Sequence, residues 1–545
     1  MNGKVTSISG ATVCVDLPDL KVGDRVFVGV SRLTGEVVRL DGTIATVQVF
    51  EETRGLGIGE PVATAHGPLT VRLGPGLLGG VFDGLQRPLP QLQKNSGNFI
   101  ASGQDPFPLD CSRRWDFSTK RKVGDLLHAG EAFGKVKEGH LDHLLLTPQD
   151  GILAQLHSGE LQLDQPAAIL EDNQILHGWH SWPVRNARPY RAKLPPTTPL
   201  VTGQRCLDFL FPLLKGGVAI IPGGFGTGKT VLEQTIAKFA DVDVVVYVGC
   251  GERGNEMAGL LDEFSELEDP RSNRPLMERT IIVANTSNMP VAAREASIFT
   301  AVTIAEYYRD MGLDVLFLAD SLSRWAEALR EISAALEEMP GEDGYPTYLG
   351  SRLSGFIERA GVVETLAGGK GSLSMILAVS PPGADFTEPV TQACLRVAGA
   401  LYMLDTHLAH RRHFPAINWT QSYSLYSDTA MAHFTEQHEE WAALQARCRD
   451  ILQREDALRE VAEVVGMEGL QDVDRLLMRT AEKVRLDFLC QNSFTDDAYT
   501  APHSTIGQIS TLVAEHDRLA AALKDGALLD DLLENTLKEA TDAPL

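Results

Sequence analysis

Residues 223–230 read Gly-Gly-Phe-Gly-Thr-Gly-Lys-Thr, which matches the phosphate-loop pattern G-x-x-x-x-G-K-[ST] at every position. An apolar run ending at Ile221 precedes this stretch, and a helix-like segment begins near Val231. A strand, a glycine-rich loop and a helix in that order present backbone N–H groups and a helix N-terminus to phosphate oxygens. We therefore predict a nucleotide site in which Lys229 bridges the β- and γ-phosphates and Thr230 is a ligand of Mg²⁺. The residues predicted to contact the nucleotide here are Gly223, Gly224, Phe225, Gly226, Thr227, Gly228, Lys229, Thr230 and Val231.

The sequence around this loop, from about 200 to 425, alternates short apolar runs with helical stretches. Two of the runs are Val-Val-Val-Tyr-Val at 244–248 and Val-Leu-Phe-Leu at 315–318. Continuous apolar strands separated by helices are typical of a parallel sheet that is covered on both faces. The predicted fold class of this region is therefore an α/β P-loop domain.

Carboxylates follow both of these runs. Asp320 comes just after the second run, a position from which an acid can hold the hydration shell of Mg²⁺. Gly-Glu-Arg-Gly-Asn-Glu at 251–256 follows the first run, and the carboxyl ends of parallel strands share one edge of the sheet. We therefore predict that Glu252 polarises the attacking water, that Arg253 stabilises the developing charge, and that Glu256 orders metal-bound water. An exposed, charged loop is the alternative interpretation of residues 251–256.

The rest of the chain divides into three regions with different sequence patterns. The N-terminal part and a block after residue 110 carry short strand-like segments with glycine turns, which favour an antiparallel barrel and an inserted β module. The module is expected to be independent and dispensable for nucleotide binding. Apolar residues at helical spacing in 433–465 and 471–490 predict a helical C-terminal region. The predicted domains are a β-barrel (1–68), a P-loop domain (69–110 and 186–430), the inserted β-rich module (111–185) and a C-terminal α-helical domain (431–545).

Composition excludes several classes of protein. The 545 residues include 49 basic and 73 acidic side chains, a formal net charge of −24. A surface this acidic repels a phosphate backbone, so nucleic-acid binding is not expected. The seven cysteines form no CxxC pair, which indicates neither a zinc site nor a disulfide framework. Neither a signal peptide nor a bilayer-spanning apolar run is evident, so any membrane role is expected to depend on partners.

Six further stretches carry a resemblance to a known family: Val-Thr-Gly-Gln-Arg at 201–205, Met-Pro-Val-Ala-Ala-Arg-Glu at 289–295, Ser-Arg-Trp-Ala-Glu-Ala-Leu-Arg-Glu at 323–331, Ser-Pro-Pro-Gly at 380–383, and the segments 412–419 and 422–426. Together with the Gly-Glu-Arg motif, they resemble the catalytic alpha chain of V/A-type rotary ATPases and ATP synthases. The resemblance is dense over 200–427, recognisable in 1–90, looser over 90–150 and thin after 500. Residues 111–185 occupy the place of the insertion that distinguishes this catalytic chain.

The resemblance implies a RecA-like P-loop domain and a chemical activity. Such an enzyme interconverts ATP and water with ADP and phosphate, with Mg²⁺ as cofactor, and couples this through shaft rotation to transport of H⁺ or Na⁺. Phe414 and Phe494 match the positions whose rings flank adenine, and stacking suits a flat base. Core packing is the alternative for both rings. Lys229, Thr230, Glu252, Arg253, Glu256 and Asp320 all match the catalytic motifs.

The resemblance also implies partners. Three copies of the chain would alternate in an A₃B₃ ring with three non-catalytic B-type subunits, each of which supplies an arginine in trans. Central shaft subunits and a peripheral stalk would contact the ring, and the membrane ion-translocating sector would be reached only indirectly. The chain would therefore lie at the cytoplasmic face of the membrane as a peripheral protein. No nucleic acid is implied.

Some positions depart from the family pattern. They are Gly224, where proline is common, Leu322, where threonine is usual, Ala393, where a polar residue is usual, and His407 and His410. None of these changes removes a catalytic group. The spacing of His407, His410 and His413 would place the third histidine off a shared helix face, and no further ligand completes a metal set. These histidines, and the pair His140 and His143, are predicted to be solvated or packed.

Three rival classes remain open at this point. Protein-secretion and flagellar export ATPases share the fold and the phosphate loop, but they lack an insertion like 111–185. A hexameric RNA translocase is disfavoured by the net charge of −24. A non-catalytic member of the same ring would be expected to lack Lys229 or Glu252, and both are present.

Overall fold

The computed structural model describes residues 3–97 and 100–533. The chain forms two compact units that alternate along the sequence. The first comprises residues 1–196, 215–222 and 242–398, and the second comprises residues 197–214, 223–241 and 399–545. The last part of the predicted helical domain, 534–545, lies outside the described residues.

A closed six-stranded barrel occupies the N-terminal part of the first unit. Its strands are β1 (Gly3–Ser9), β2 (Thr12–Asp16), β3 (Asp24–Val28), β4 (Leu33–Asp41), β5 (Ile44–Val49) and β6 (Pro61–Pro68). They are antiparallel to their neighbours in the order β1-β2-β5-β4-β3-β6. Side chains of a strand alternate between two faces, so Val13 and Val15 of β2 and Val26 and Val28 of β3 point inwards and are fully buried. The predicted barrel is confirmed.

The inserted module consists of two four-stranded sheets, with strand orders β12-β11-β9-β14 and β10-β13-β15-β16. The strands in this part of the chain are β7 (Thr70–Leu73), β8 (Val81–Phe82), β9 (Arg114–Ser118), β10 (Leu126–Leu127), β11 (Ala132–Glu138), β12 (Leu141–Leu146), β13 (Gly151–Leu156), β14 (Gly159–Gln162), β15 (Pro166–Leu170), β16 (Ile175–His177) and β17 (His180–Pro183). After the module, β17 pairs with β7, the strand that follows the barrel. The predicted β-rich character of the insertion is confirmed.

A parallel sheet forms the centre of the first unit. Strands β8, β25, β22, β26, β28 and β21 lie side by side in parallel, and β27 and β18 continue the sheet in antiparallel pairing. The remaining strands are β18 (Ala192–Leu194), β19 (Pro199–Leu200), β20 (Leu213–Leu214), β21 (Val218–Pro222), β22 (Val244–Glu252), β23 (Glu268–Asp269), β24 (Arg274–Pro275), β25 (Thr280–Thr286), β26 (Asp314–Asp320), β27 (Gly361–Glu364), β28 (Lys370–Val379), β29 (Ala400–Leu401) and β30 (Tyr423–Ser424). Both predicted apolar runs are buried strands of this sheet, which confirms the α/β fold class.

Some of the α-helices pack on this sheet, and others build the C-terminal domain. They are α1 (Leu89–Ser96), α2 (Lys229–Phe239), α3 (Gly254–Glu266), α4 (Val291–Asp310), α5 (Leu322–Ala335), α6 (Leu349–Ile357), α7 (Pro389–Leu395), α8 (Thr406–His410), α9 (Ser427–Gln437), α10 (Trp441–Val465), α11 (Asp472–Lys483) and α12 (Pro502–Lys524). Helix α4 is buried along its whole length after Val291 and packs on β22, β25 and β26. It is therefore a core helix of the first unit.

The inserted module shares its hydrophobic core with α4. Leu145 of the module belongs to the same buried cluster as Tyr308 of α4. The buried ring of His143 lies 2.5 Å from Glu138 through Nδ1 and 2.8 Å from the Tyr307 hydroxyl through Nε2. The module is therefore packed against α4, and its independence and its dispensability for nucleotide binding stay predictions. The periodicity of apolar residues predicts which side chains are buried, but it does not predict which helix or strand they pack against.

The helical domain of the second unit is built mainly from α10, α11 and α12, which pack on one another. Residues 433–465, predicted as one helical stretch, divide between α9 and α10. Trp441, the first residue of α10, stacks on Phe434 of α9 with ring centroids 4.4 Å apart. The predicted C-terminal helical domain is confirmed. Within 3–97 and 100–533, no helix has both the length and the apolar character needed to cross a bilayer.

Candidate nucleotide site

The phosphate loop joins β21 to α2. Strand β21 ends at Pro222 and α2 begins at Lys229. Gly226 and Gly228 have φ angles of 77° and 85°, in the left-handed region that favours glycine. A β-carbon at Gly228 would also lie 3.4 Å from the Phe414 ring. These glycines allow the chain to turn tightly and to present the N-terminus of α2, where phosphate oxygens bind well.

The side chains of the loop are held by its own carbonyl groups. The Lys229 amine donates to the carbonyls of Gly223 and Gly224 at 2.6 and 3.0 Å. The Thr227 hydroxyl donates to the Gly224 carbonyl at 2.8 Å. Gly224, which replaces a usual proline, therefore contributes a carbonyl oxygen that a proline would also provide. Thr230 and Val231 follow Lys229 in the first turn of α2, and Phe225 is exposed at the loop.

Acidic side chains converge at the carboxyl edge of the parallel sheet. Glu252 is the last residue of β22 and Asp320 the last of β26, and Asp320 is paired in register with Gly249 of β22. Burial raises the pKa of Glu252 to about 8, aided by the negative charge of Asp320 and by the hydrogen bond and charge of Glu256. Three carboxylates that disfavour one another's charge make this edge attractive to a cation. The charged-loop alternative is therefore wrong for Glu252, which is not an exposed side chain.

These acids do not form a complete metal cage. Among the described residues, no three His, Cys, Asp or Glu side chains are gathered closely enough to hold a metal ion. Nucleotide-bound Mg²⁺ needs no such cage, because phosphates and water supply most of its six ligands and the protein only one or two. One or two of the carboxylates at this edge would therefore meet the protein's share of such a coordination sphere.

Two arginines accompany the acidic cluster. The Arg253 side chain is 65% exposed and lies 4.0 Å from Glu256, so this ion pair is weak. Arg324 forms an ion pair with Glu327 at 3.0 Å, and its positive charge opposes the rise in the pKa of Glu252. Arg324 lies in a stretch that carries the family resemblance, at 323–331, but no role was predicted for it. The sequence signal that could have pointed to Arg324 is its position near the start of α5, just after Asp320.

The two aromatic candidates are not core residues. Phe414 is 39% exposed and Phe494 is 80% exposed, so the core-packing alternative is wrong for both. The Phe414 carbonyl accepts a hydrogen bond of 2.7 Å from the Gln491 amide, which joins the two segments that carry these rings. Lys229, Thr230, Phe414 and Phe494 belong to the second unit, and Glu252, Arg253, Glu256 and Asp320 to the first.

Leu322 and His407, two of the atypical residues, have local structural roles, and two other histidines are buried. Leu322 is fully buried at the start of α5, where an apolar side chain replaces the usual threonine. The His407 amide donates to the Asp405 carboxylate at 2.6 Å, the N-terminal cap of the short helix α8. His413 is buried and packs edge-on against Trp419, with centroids 5.9 Å apart. His143 is likewise a buried, hydrogen-bonded side chain.

Burial of His413 predicts acid sensitivity. Burial, with a smaller contribution from Arg485, lowers the pKa of His413 to about 4. The neutral ring is thus favoured in the folded state, and its stability contribution is lost as pH falls from about 6.5 towards 4. We expect acidification from pH 7 to 5 to cost about 2 kcal/mol at this site. As the pH is lowered, the midpoint of thermal unfolding should fall less steeply in His413→Gln than in the wild type. The control variant His433→Gln, on α9, should show the same pH dependence as the wild type. Parallel curves for His413→Gln and the wild type would contradict the prediction.

Four family models match the chain in succession. They are the ATP synthase alpha/beta family beta-barrel domain (residues 3–64), the alpha/beta subunit barrel-sandwich domain (107–185), the alpha/beta family nucleotide-binding domain (203–424) and the C-terminal domain of V and A type ATP synthase (431–532). Their order along the chain matches the barrel, inserted module, α/β sheet and helical domain of the fold. The fold and the phosphate loop thus define a P-loop nucleotide-binding protein of the ATP synthase alpha/beta class.

Curated relatives narrow this class. The chain is 50% identical over 543 residues to a V-type ATP synthase alpha chain of Anaeromyxobacter sp. (strain K), covering 98% of this chain and 94% of the relative. It is 48% identical over 541 residues to the corresponding chain of an A-type ATP synthase of Methanospirillum hungatei JF-1, covering 98% and 92%. The chain therefore belongs to the family of V- and A-type ATP synthase alpha chains. The sequence-based identification of a catalytic chain of this ATP-hydrolysing, ion-translocating class is confirmed.

A solved structure shows how widely the fold is shared. The assembled ATPase EscN of an enteropathogenic E. coli type III secretion system superimposes with a TM-score of 0.68 at 22% identity. The match covers 94% of this chain and all of that one. At this identity the likeness concerns the fold alone, so the secretion ATPases are distant structural neighbours of this chain.

Proposed function

We propose that this protein binds ATP with Mg²⁺ at residues 223–231 and that ATP is hydrolysed or synthesised there. The observation that carries the proposal is the phosphate loop, with its left-handed glycines and the N-terminus of α2 beyond it. The Lys229 amine, which contacts two loop carbonyls, is placed to exchange them for phosphate oxygens. Thr230, Asp320 and Glu256 would hold Mg²⁺ directly or through water. The cation neutralises negative charge on the β- and γ-phosphates.

The reaction requires a positioned water. Its oxygen attacks the γ-phosphorus, the bond from that phosphorus to the β–γ bridging oxygen breaks, and ADP leaves. Glu252 orients the water and withdraws its proton, a role that needs the ionised carboxylate. Burial and neighbouring acids raise the pKa of Glu252, so positive charge arriving with the substrate favours the reactive form. Lys229 and Arg253 stabilise the charge that develops on the phosphoryl oxygens.

The base is proposed to lie between Phe414 and Phe494. Both rings are partly or largely exposed, and main-chain hydrogen bonding joins the segments that carry them. An aromatic face binds a flat base by stacking, with little need for hydrogen bonds. This arrangement would place the triphosphate towards Gly228, which lies next to the Phe414 ring.

The chain functions in an ATPase complex with other subunits. We further propose that three copies alternate with three non-catalytic B-type subunits, each of which contributes an arginine to the site. Residues 431–545 would contact the central shaft and residues 111–185 the peripheral stalk. The complex would then act on the membrane ion-translocating sector from the cytoplasmic face. The family names of the relatives and the order of the four domains support this proposal.

Replacement of Glu252 by glutamine tests the catalytic role. The amide is nearly isosteric but cannot withdraw a proton, so Glu252→Gln should keep ATP affinity within about twofold while kcat falls by about 10²–10⁴. Nucleotide affinity and steady-state hydrolysis are measured on the assembled complex. Glu266→Gln, at the exposed end of α3, is the matched control and should retain wild-type values.

Two results would count against this role. If Glu252→Gln lost ATP affinity and hydrolysis together, Glu252 would be a structural residue. If the variant kept the wild-type kcat, another group would have to orient the water.

A further inference from the structure

The turn from Phe488 to Thr500, which carries Phe494, is attached to a buried arginine far away in the sequence. We propose that Arg205 is a positioning residue of the adenine site, which fixes this turn and so sets affinity for the base without touching the nucleotide. The proposal rests on the role proposed above for Phe494. It concerns contacts within the second unit only.

All three guanidinium nitrogens of Arg205 donate hydrogen bonds to groups of this turn. The Nε atom donates to the Phe488 carbonyl at 2.5 Å, and Nη2 donates to the Cys490 carbonyl at 2.7 Å. Nη1 donates to the Thr500 hydroxyl at 2.9 Å, and the Asp497 carboxylate accepts from both Nη1 and Nη2. Arg205 is only 2% exposed. A buried guanidinium with partners at both ends of a turn fixes its shape, because its planar fork allows few alternative geometries.

The main chain beside Arg205 completes the attachment. The Arg205 amide donates to the Gln491 side-chain oxygen at 2.8 Å, and the Gln491 side-chain amide donates to the Gly203 carbonyl at 2.8 Å. The Thr500 amide donates to the same Gly203 carbonyl at 2.9 Å. Because the Gln491 backbone amide also donates to the Phe414 carbonyl at 2.7 Å, one residue joins the turn to the second adenine-flanking ring.

Phe494 depends on this turn for its position. Its ring is 80% exposed, so little packing orients it. Its amide donates to the Asn492 side chain at 3.0 Å, and the Asn492 amide donates to the Asp497 carboxylate at 3.0 Å. Asp497 is thus shared between Arg205 and the backbone next to Phe494. Disturbing Arg205 should therefore move the ring, while the phosphate loop keeps its own internal hydrogen bonds.

The test compares a ligand that has a base with one that has none. In the assembled complex, Arg205→Lys and Asp497→Asn should raise the dissociation constant of MgATP about tenfold, the effect of losing roughly one stacking contact. Affinity for inorganic tripolyphosphate with Mg²⁺ should change less than about twofold, and kcat at saturating ATP should be unchanged. Arg447→Lys, which alters an exposed pair with Asp517, is the matched control and should leave both affinities unchanged. Thermal unfolding confirms that each variant is folded.

Phe494→Ala in the same assay separates the two proposals. If it weakens ATP but not tripolyphosphate, and the Arg205 and Asp497 variants do the same, the inference is supported. If Phe494→Ala is selective and the other two variants are not, Arg205 is no positioning residue, although the adenine site stands. Equal weakening of both ligands by the Arg205 and Asp497 variants would show a structural role only. No effect of Phe494→Ala on ATP would overturn the adenine role of Phe494 and the inference with it.

Discussion

ATP turnover by the assembled complex should fall below detection when Lys229 is replaced by alanine. The ammonium is a point charge at the start of α2, next to the loop carbonyls that surround the proposed phosphate position. Its loss removes positive charge where negative charge grows in the transition state, and no neighbouring group of the loop replaces it. Steady-state hydrolysis by the purified complex measures the effect.

A second lysine of the same helix provides the control. Lys238 lies near the end of α2, beside the Phe239 ring and two turns from the loop. Lys238→Ala should keep a near wild-type rate. A near wild-type rate for Lys229→Ala in an assembled, folded complex would refute the assignment of residues 223–230 as the catalytic phosphate loop.

The isolated chain should bind ATP but hydrolyse it slowly, and the non-catalytic partner should restore activity. Phosphoryl transfer needs positive charge around the γ-phosphate from several directions. This chain offers Lys229, Arg253 and the proposed Mg²⁺ site, and the Arg253 side chain is 65% exposed. An arginine supplied by a neighbouring protein is worth about 10³–10⁵ in rate in other phosphoryl-transfer systems. Rotation of a shaft that opens and closes the interface between the two chains would then couple chemistry to movement.

The measurement is steady-state hydrolysis by the purified chain with and without the partner. The control is the Glu252→Gln chain mixed with the same partner, which should stay inactive and so locate the restored activity on this chain. Full activity from a verified monomer would show that the site is complete without a partner, and the shared-interface mechanism would have to be abandoned.

The central fold could be predicted because the strands of a buried parallel sheet appear in the sequence as short, continuous apolar runs. Strands at 244–248 and 315–318 are apolar on both faces because the residues of both faces are buried. The break between α9 and α10 was missed because the apolar periodicity of 433–465 continues across it. Trp441 stacks on Phe434 across this break, so the two helices stay in contact.

The phosphate loop and the acids could also be located in advance, since each follows a strand at a characteristic distance. The raised pKa of Glu252 could not be predicted from the sequence, because it depends on burial and on the charge of Asp320. Asp320 lies 68 residues away in the sequence, and strand pairing brings the two carboxylates to the same edge of the sheet. Arg324 went unassigned for the same reason. The exposure of Phe494 could not be predicted either, because the sequence around an isolated aromatic residue does not indicate whether the ring is buried or exposed.

The amino-acid sequence alone determined the order of the domains, the phosphate-loop pattern, the family and the residue types of the proposed catalytic motifs. These are local patterns, in which a turn, a strand or a helix terminus requires particular residues at fixed spacing. Only the tertiary structure decided that the inserted module shares a core with α4, and that Arg205 donates hydrogen bonds to the turn bearing Phe494. Both depend on contacts between residues more than a hundred positions apart, which form because buried apolar and polar groups must find partners wherever the folded chain brings them together.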